Sequence, residues 1–493
     1  MKLRVSLLAA TIALVSGCAL GPDYVRPNLD VPGDYRGTLN ADTARTLADL
    51  DWADLFDDAE MAVVVRSAVE RNLDLKIALW RIEAARAQLT STRSLLFPGV
   101  SGSLATTPSA TSSDNDSAYS LGLLFSWEID VFGKLRRANE ASRAELLASE
   151  DGARAVMSSL VATTAGIWLS LRELDQEVAI TRTNILDQER SLELVRQLMR
   201  GGVANGADEQ QAITQLASTR SRLPQLQQRV IATENALSLL LGAYPSSIQR
   251  VDEAVLPQVP VFPALGLPSE LLDRRPDVRA SEQTLHAATA RIGVAIANRF
   301  PVPTIGLGGF LGRLGIDLGD VFDNSGSTAD VWSWGPNVDM PLIDWGRGSA
   351  GVSGARAQAE AAVLSYRSTV LNAMREVSDS LAAAELGGEV VEQAAVSASA
   401  AAESLRLQNM RYKAGVVGYL DVLDAQRQQY SAQLELARAR LQHLQAYVDL
   451  YRALGGGWSD ATLAGVPRVA PNPVIEPASK VLPVAAPETP IQP

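Results

Sequence analysis

The stretch that opens Phe132-Gly133-Lys134, passes Gly202-Val203 and Asp208, and closes Leu241-Gly242 recurs 213 residues later as Trp345-Gly346-Arg347, Gly415-Val416, Asp421 and Leu454-Gly455. A second set, Asn72-Leu73-Asp74 and Phe97-Pro98, recurs at a spacing of 203 as Arg275-Pro276-Asp277 and Phe300-Pro301. Constant spacing over so long a span is the mark of an internal repeat. The two halves therefore share one plan, and only the connection between Pro98 and Phe132 differs in length from its counterpart.

Each half reads in the same order. A medium helix (about 74–96, then about 276–298) leads into a Gly/Ser/Thr-rich stretch with alternation. A proline-free helical run follows, 134–200 in the first half and 347–413 in the second. At 1.5 Å per residue such a run is a helix on the order of 100 Å long, which belongs to a coiled coil or a conduit rather than a compact globule. Leu171, Val178, Ile185, Leu192 and Met199 recur every seven residues, as do Leu216, Leu223, Val230 and Leu237 in the next helix.

The glycine-rich breaks at 201–206 and 414–418 turn each long helix into an antiparallel hairpin. The returning helix, about 207–241, is half as long as its partner, so the medium helix is expected to stack end to end with it. Pro224 removes a backbone donor and is expected to kink the first return helix; the equivalent Ala437 is not.

Strict alternation begins at Tyr119. Tyr119, Leu121, Leu123, Phe125, Trp127, Ile129 and Val131 share one face; Ser120, Gly122, Leu124, Ser126, Glu128 and Asp130 share the other. One face is apolar throughout, and its length covers the roughly 9 to 11 residues that a tilted strand needs to cross a bilayer. In the second half Trp332, Trp334, Val338, Met340 and Leu342 oppose Ser333, Asn337 and Asp339, with Pro336 expected to interrupt the ladder. Ile305, Leu307 and Leu311 mark the strand before it. The first strand, near 100–107, is expected from repeat symmetry. A soluble sandwich would alternate in the same way. Four strands on such long helices have no second sheet to cover them, however, and an open edge is not tolerated in hydrocarbon. The strands are expected to close with those of other copies, three or more if the barrel is to hold an aqueous lumen.

The chain has 493 residues, 47% hydrophobic and 20% charged, enough apolar surface to exclude wholesale disorder. A net charge of −12 without a long Lys/Arg run gives no footprint for nucleic acid. Lys2 and Arg4, the apolar run 5–15 and Ser16-Gly17-Cys18 have the layout of a secretory signal. No later apolar run reaches 18 residues, so any membrane crossing is expected to use strands. Cys18 is the sole cysteine, which excludes an intrachain disulfide. No enzyme is expected: there are two histidines, His286 and His443, no zinc-ligand spacing and no phosphate loop, and the glycines 306, 308, 309 and 312 lack a dinucleotide spacing. A periplasmic coiled-coil scaffold is the rival reading, and the apolar strand face argues against it.

Val15-Ser16-Gly17-Cys18 resembles a bacterial lipobox, with Cys18 the lipidated residue; Ala19 after it favours, by the same resemblance, the outer membrane. Cys18-Ala19-Leu20-Gly21-Pro22-Asp23-Tyr24, Leu271-Leu272-Asp273-Arg274-Arg275-Pro276-Asp277-Val278 and Leu450-Tyr451-Arg452-Ala453-Leu454-Gly455-Gly456-Gly457-Trp458 closely resemble the signatures of NodT-type outer-membrane efflux lipoproteins, of the TolC/OprM-like outer membrane factors. The resemblance implies a mostly α fold with a small transmembrane β part. Its parts are a homotrimer with a twelve-stranded barrel, an α-helical barrel through the periplasm, a periplasmic adaptor, an inner-membrane pump of RND type, and contact with outer-membrane lipid. Small-molecule export follows from it, with a protein-secretion channel as the alternative; neither nucleic acid nor a cofactor is implied.

Gly418 to Ala425 resembles the family's periplasmic gate, with Leu420, Asp421 and Asp424 at the constriction. Asp421 and Asp424 are three apart and share a helical face; in a trimer they would ring one opening with six carboxylates, although an Asp in a first helical turn also stabilises the helix N-terminus. Gly202, Val203 and Asp208 on one tip, and Gly415, Val416 and Gly418 on the other, are the expected adaptor contacts. The expected organisation is a signal peptide (1–17), an anchored N-terminal segment with the first helix (18–71), a first repeat (72–245), a linker (246–274), a second repeat (275–458) and a proline-rich disordered tail (459–493).

Overall fold

The computed structural model describes residues 19–33, 56, 58–108, 117–251, 256–259, 270–299, 301–322 and 329–466. The signal and lipidation segment through Cys18, much of the linker, Phe300 and the proline-rich residues from 467 onward lie outside the described residues. In chain order the elements are α1 (Ala59–Arg71), α2 (Leu73–Ser94), β1 (Gly99–Pro108), β2 (Ser117–Ile129), α3 (Lys134–Arg200), α4 (Gly206–Leu240), α5 (Leu271–Arg274), α6 (Pro276–Ala297), β3 (Thr304–Gly315), β4 (Ala329–Asp339), α7 (Arg347–Lys413), α8 (Tyr419–Ala453) and α9 (Asp460–Gly465). Both long helices are 67 residues, about 100 Å each. The segment after Trp458 begins as the helix α9, held by Asp460 to Arg154 at 2.9 Å, with Leu463 packed on the main core.

The return helices stack on the medium helices as the repeat requires, and the two joints are built alike. Asn72 accepts from Leu75 N as the cap of α2 and donates Nδ2 to Leu240 O at 3.1 Å, taking up a carbonyl at the end of α4. Arg275, at the equivalent position before α6, donates Nη1 to Ala453 O at the end of α8, at 2.9 Å. Gly242 and Gly455 turn the chain there in the left-handed region, φ 63° and 87°. A Cβ on Gly242 would lie 2.7 Å from Arg71 O. Helical structure is continuous through Pro224, inside α4.

α3 passes through the main core. Trp168, Leu169 and Leu171 are fully buried with Phe56, Met61, Val377, Leu381 and Leu450. Trp168 donates Nε1 to Asp58, whose other oxygen caps α1 through Met61 N. α3 is also the one helix among the described residues long and apolar enough by composition to cross a membrane. Within it Met157, Leu160, Val161, Ala165, Trp168, Leu169 and Leu171 are buried in this core.

Closer to the tips a charged node joins both hairpins. Glu177 on α3 is fully buried and accepts from Arg229 on α4 at 3.1 Å and from Arg438 on α8 at 2.8 Å. One turn earlier lies Glu173, 2% exposed. Burial, and then the neighbouring Glu177 carboxylate, push its carboxyl up to about 7. Below the ordinary carboxylate range both folded and unfolded chains hold this proton. Between there and about pH 7 only the folded chain does, so this group's contribution to stability falls as pH rises through that window. Thermal unfolding should therefore show a loss of stability from pH 5 to pH 8 that Glu173→Gln removes.

Candidate functional site: the strand faces and the hairpin tips

The four strands form one antiparallel sheet in the order β1-β2-β3-β4. Tyr119, Leu121, Leu123, Phe125, Trp127 and Ile129 lie opposite Thr106, Leu104, Gly102 and Val100 of β1 on one side and Gly315, Arg313, Leu311, Gly309, Leu307 and Ile305 of β3 on the other. Leu311, Gly309, Leu307 and Ile305 in turn face Trp332, Trp334, Pro336 and Val338. Since strand partners share a face, the register carries one largely apolar surface across the sheet, with the Arg313–Asp330 ion pair, at 3.2 Å, toward one end. Trp332 and Trp334 are 70% and 72% exposed on it. The opposite surface is Gly99, Ser101, Ser103, Ala105 and Thr107; Ala118, Ser120, Gly122, Leu124, Ser126 and Glu128; Thr304, Gly306, Gly308, Phe310, Gly312 and Leu314; and Ala329, Val331, Ser333, Gly335, Asn337 and Asp339. It is mostly small and polar. β1 and β4 each leave one edge unpaired within the chain.

Three departures from the sequence reading appear here, the first being that β4 ends at Asp339, so Met340 and Leu342 lie past the strand. Pairing holds its register through Pro336, which sits opposite Leu307, so the expected interruption is absent. β4 is an edge strand within the chain, where a missing N–H is tolerated. The apolar face ends at Ile129: Val131 already lies in the turn, its N–H donated to Ile129 O.

Each strand pair passes into its long helix through a glycine with positive φ, Gly133 at 77° and Gly346 at 89°. Asp130 receives Leu135 N and Arg136 N at the head of α3, at 3.0 and 2.9 Å. Asp344 receives Gly346 N and Gly348 N at the head of α7, at 3.0 and 2.8 Å, and these donors hold its carboxyl below the usual range. The N-terminal segment lies against the first of these junctions. Leu20 N donates to Phe132 O at 3.0 Å, Arg137 pairs with Asp23 at 2.6 Å, and Tyr24 stacks on His286 at 4.5 Å.

At the far end of the hairpins both turns have one geometry. Gly202 and Gly415 adopt φ 74° and 71°; Val203 N donates to Leu198 O and Val416 N to Arg411 O, each at 2.9 Å. This is the Schellman closure that glycine permits. It leaves Val203 and Val416 exposed. Asp208 then accepts from Asn205 N at 3.1 Å, and Asp421 from Gly418 N at 3.2 Å, each three residues into its return helix. Leu420, Asp421 and Asp424 are all exposed, and Asp424 accepts only from Gln428, four residues on, at 2.7 Å.

Behind them Tyr419, Val422 and Leu423 are buried with Tyr412, Leu192, Val195 and Leu216, which locks the two tips together. Ser191 and Tyr419 share a hydrogen bond at 3.2 Å, and Arg427 donates to Gln215 at 2.8 Å. Sequence reading found the turn and the acidic pair. It missed the Tyr412–Tyr419 contact and the Arg427 link, because both join residues of different helices with no local pattern. Among the described residues no group of His, Cys, Asp and Glu could hold a metal.

A sheet that needs other copies to close, carried on helical hairpins about 100 Å long, defines an outer-membrane channel with a periplasmic conduit. The chain belongs to the outer membrane efflux protein family, whose pattern matches residues 64–243 and 267–456. Outer membrane protein OprJ of Pseudomonas aeruginosa is 34% identical over 464 residues, covering 92% of this chain and 96% of OprJ. The toluene efflux pump outer membrane protein TtgC of Pseudomonas putida is 33% identical over 471 residues, 92% and 96% of the two chains. Among solved structures, the outer-membrane channel OprN superposes with a TM-score of 0.82 at 32% identity, over 90% of this chain and all of that one. The open state of the outer membrane channel MtrE of Neisseria gonorrhoeae gives 0.77 at 30%, over 89% and 98%.

Proposed function

We propose that three copies of the chain close a twelve-stranded barrel in the outer membrane and form the exit duct of a tripartite efflux system, taking small toxic compounds from the periplasm to the exterior. The observation that carries this is the register of the sheet. One face, apolar from the Ile129 end up to a charged Arg313–Asp330 pair at its far end, with free edges at β1 and β4, fits a lipid-facing wall completed by neighbouring copies. The efflux of toluene and of antibiotics named for relatives supports the substrate class.

In this reading Tyr119, Leu121, Leu123, Phe125, Trp127 and Ile129 face lipid. Cys18 carries the anchor; its neighbours Ala19 and Leu20 lie at the Phe132–Gly133 junction, where the wall meets the periplasm. Leu420, Asp421 and Asp424 constrict the periplasmic end. Gly202, Val203, Asp208, Gly415, Val416 and Gly418 meet an adaptor that links the duct to an RND-type pump, which supplies the energy. The repeats run 72–245 and 275–458, joined by a linker at 246–274. Purified protein in detergent should have the mass of three copies and should give discrete conductance steps in planar bilayers. A monomer without conductance, in protein verified to be folded, would leave the tethered scaffold.

A further inference from the structure

Phe310 is the one aromatic residue among the described strand positions on the small, polar face of the sheet. It is only half-exposed there, whereas Trp332 and Trp334 on the other face stand well out. The reason lies one step along the strand. Gly122 of β2 and Gly312 of β3 sit opposite each other on the same face as Phe310. The tip of the Phe310 ring, Cζ, comes within 2.8 Å of where a Cβ on either glycine would be, closer than side-chain carbons approach one another. The ring therefore lies along the sheet with its tip over a patch that only two glycines leave empty.

We infer that Gly122 and Gly312 form a recess that holds Phe310 flat against the lumen wall, and that this recess sets the free bore of the barrel. This rests on the reading that this face lines the lumen. With three copies, three rings lie at one level of the duct. A side chain at 122 or 312 would lift each ring off the wall, and three raised rings would narrow the passage and line it with aromatic faces. Pore diameter and the groups that line it govern what passes. The recess thus determines the largest solute the barrel admits, separately from the carboxylates at the periplasmic end.

The test uses the full-length protein carrying Asp421→Ala and Asp424→Ala, so that the periplasmic tip limits conductance least, in planar bilayers with graded polyethylene glycols as size probes. Gly122→Ala should lower conductance about twofold and reduce the largest admitted polymer. Phe310→Ala alone should change both little, because a flat ring obstructs little. Gly122→Ala with Phe310→Ala should recover most of the lost conductance and polymer cut-off, short of the parent values by whatever the backbone contacts of the Cβ cost. A Cβ at 122 would also lie 2.6 Å from Leu311 O and 2.7 Å from Gly312 Cα, nearer than the ring at 2.8 Å, and at 312 the backbone of β2 is nearer still. Position 122 is therefore the one to substitute, and the combined variant measures the backbone effect by itself: a loss as large without the ring as with it is distortion of the sheet and overturns the inference. So does a Gly122→Ala channel of unchanged bore. A Ser333→Cys variant, on the same face opposite Phe310, should react with a membrane-impermeant thiol reagent. Failure to react there would overturn the lumen assignment itself and the recess with it.

Discussion

Leu123→Arg should abolish assembly into the outer membrane, while Leu124→Arg, one residue on, should leave a folded oligomer with altered ion selectivity. The two leucines are 52% and 43% exposed within one chain, so exposure does not tell them apart. Register does. Leu123 pairs with Gly102 and Leu311 on the apolar face, and Leu124 pairs with Ser101 and Phe310 on the polar one. An arginine on the lipid face near mid-membrane costs about 2–4 kcal/mol. Three copies multiply that, against a total stability of about 5–15 kcal/mol for a typical domain. On the lumen face the guanidinium meets water and costs little. Heat-modifiable oligomer on gels of outer-membrane fractions reads the first result, and reversal potential in a salt gradient reads the second. Equal loss of oligomer in both variants would mean that the sheet does not separate lipid from water.

Such parity is what sequence reads best. Alternation placed β2 on its correct faces from residue 119 onward, because a period of two fixes each side chain once one face is buried in anything apolar. The long helices were legible to the residue, Lys134–Arg200 and Arg347–Lys413, since a glycine opens each and no proline interrupts it. β1, with its serines, glycine and threonines, has little pattern of its own. Its register comes from ten consecutive partners in β2, and symmetry between the halves was the sole sign of it.

The Glu177 node was not legible at all. Its partners Arg229 and Arg438 come from two other helices, and the repeat offers no second copy, since Val390 stands where Glu177 would recur and Leu386 where Glu173 would. A contact that depends on the rotation of three helices leaves no trace in any one of them. The tip lies between these cases. Its turns and acids are local and were found, whereas the assignment of Asp421 and Asp424 to a gate came from resemblance.

Within the tip the two acids should separate by what each does for its own helix. Asp421 accepts the Gly418 N–H and so closes the first turn of α8; removing that bond costs about 1 kcal/mol. Asp208 does the same for α4. Asp424 contacts only Gln428, so its carboxylate is free to act on whatever passes the tip. Asp424→Ala should raise single-channel conductance and weaken cation preference while leaving thermal stability within about 0.5 kcal/mol of wild type.

Asp421→Asn with Asp424→Asn keeps an oxygen to accept from Gly418 and removes both charges. It should open the channel further, several-fold in conductance at low salt, with the difference shrinking as salt screens the ring. Asp208→Asn on the other tip keeps the same cap and should change conductance little. If it opened the channel as far as the pair on α8, the constriction would belong to both tips alike; if the Asn pair on α8 left conductance unchanged, Asp421 would be a helix cap and nothing more.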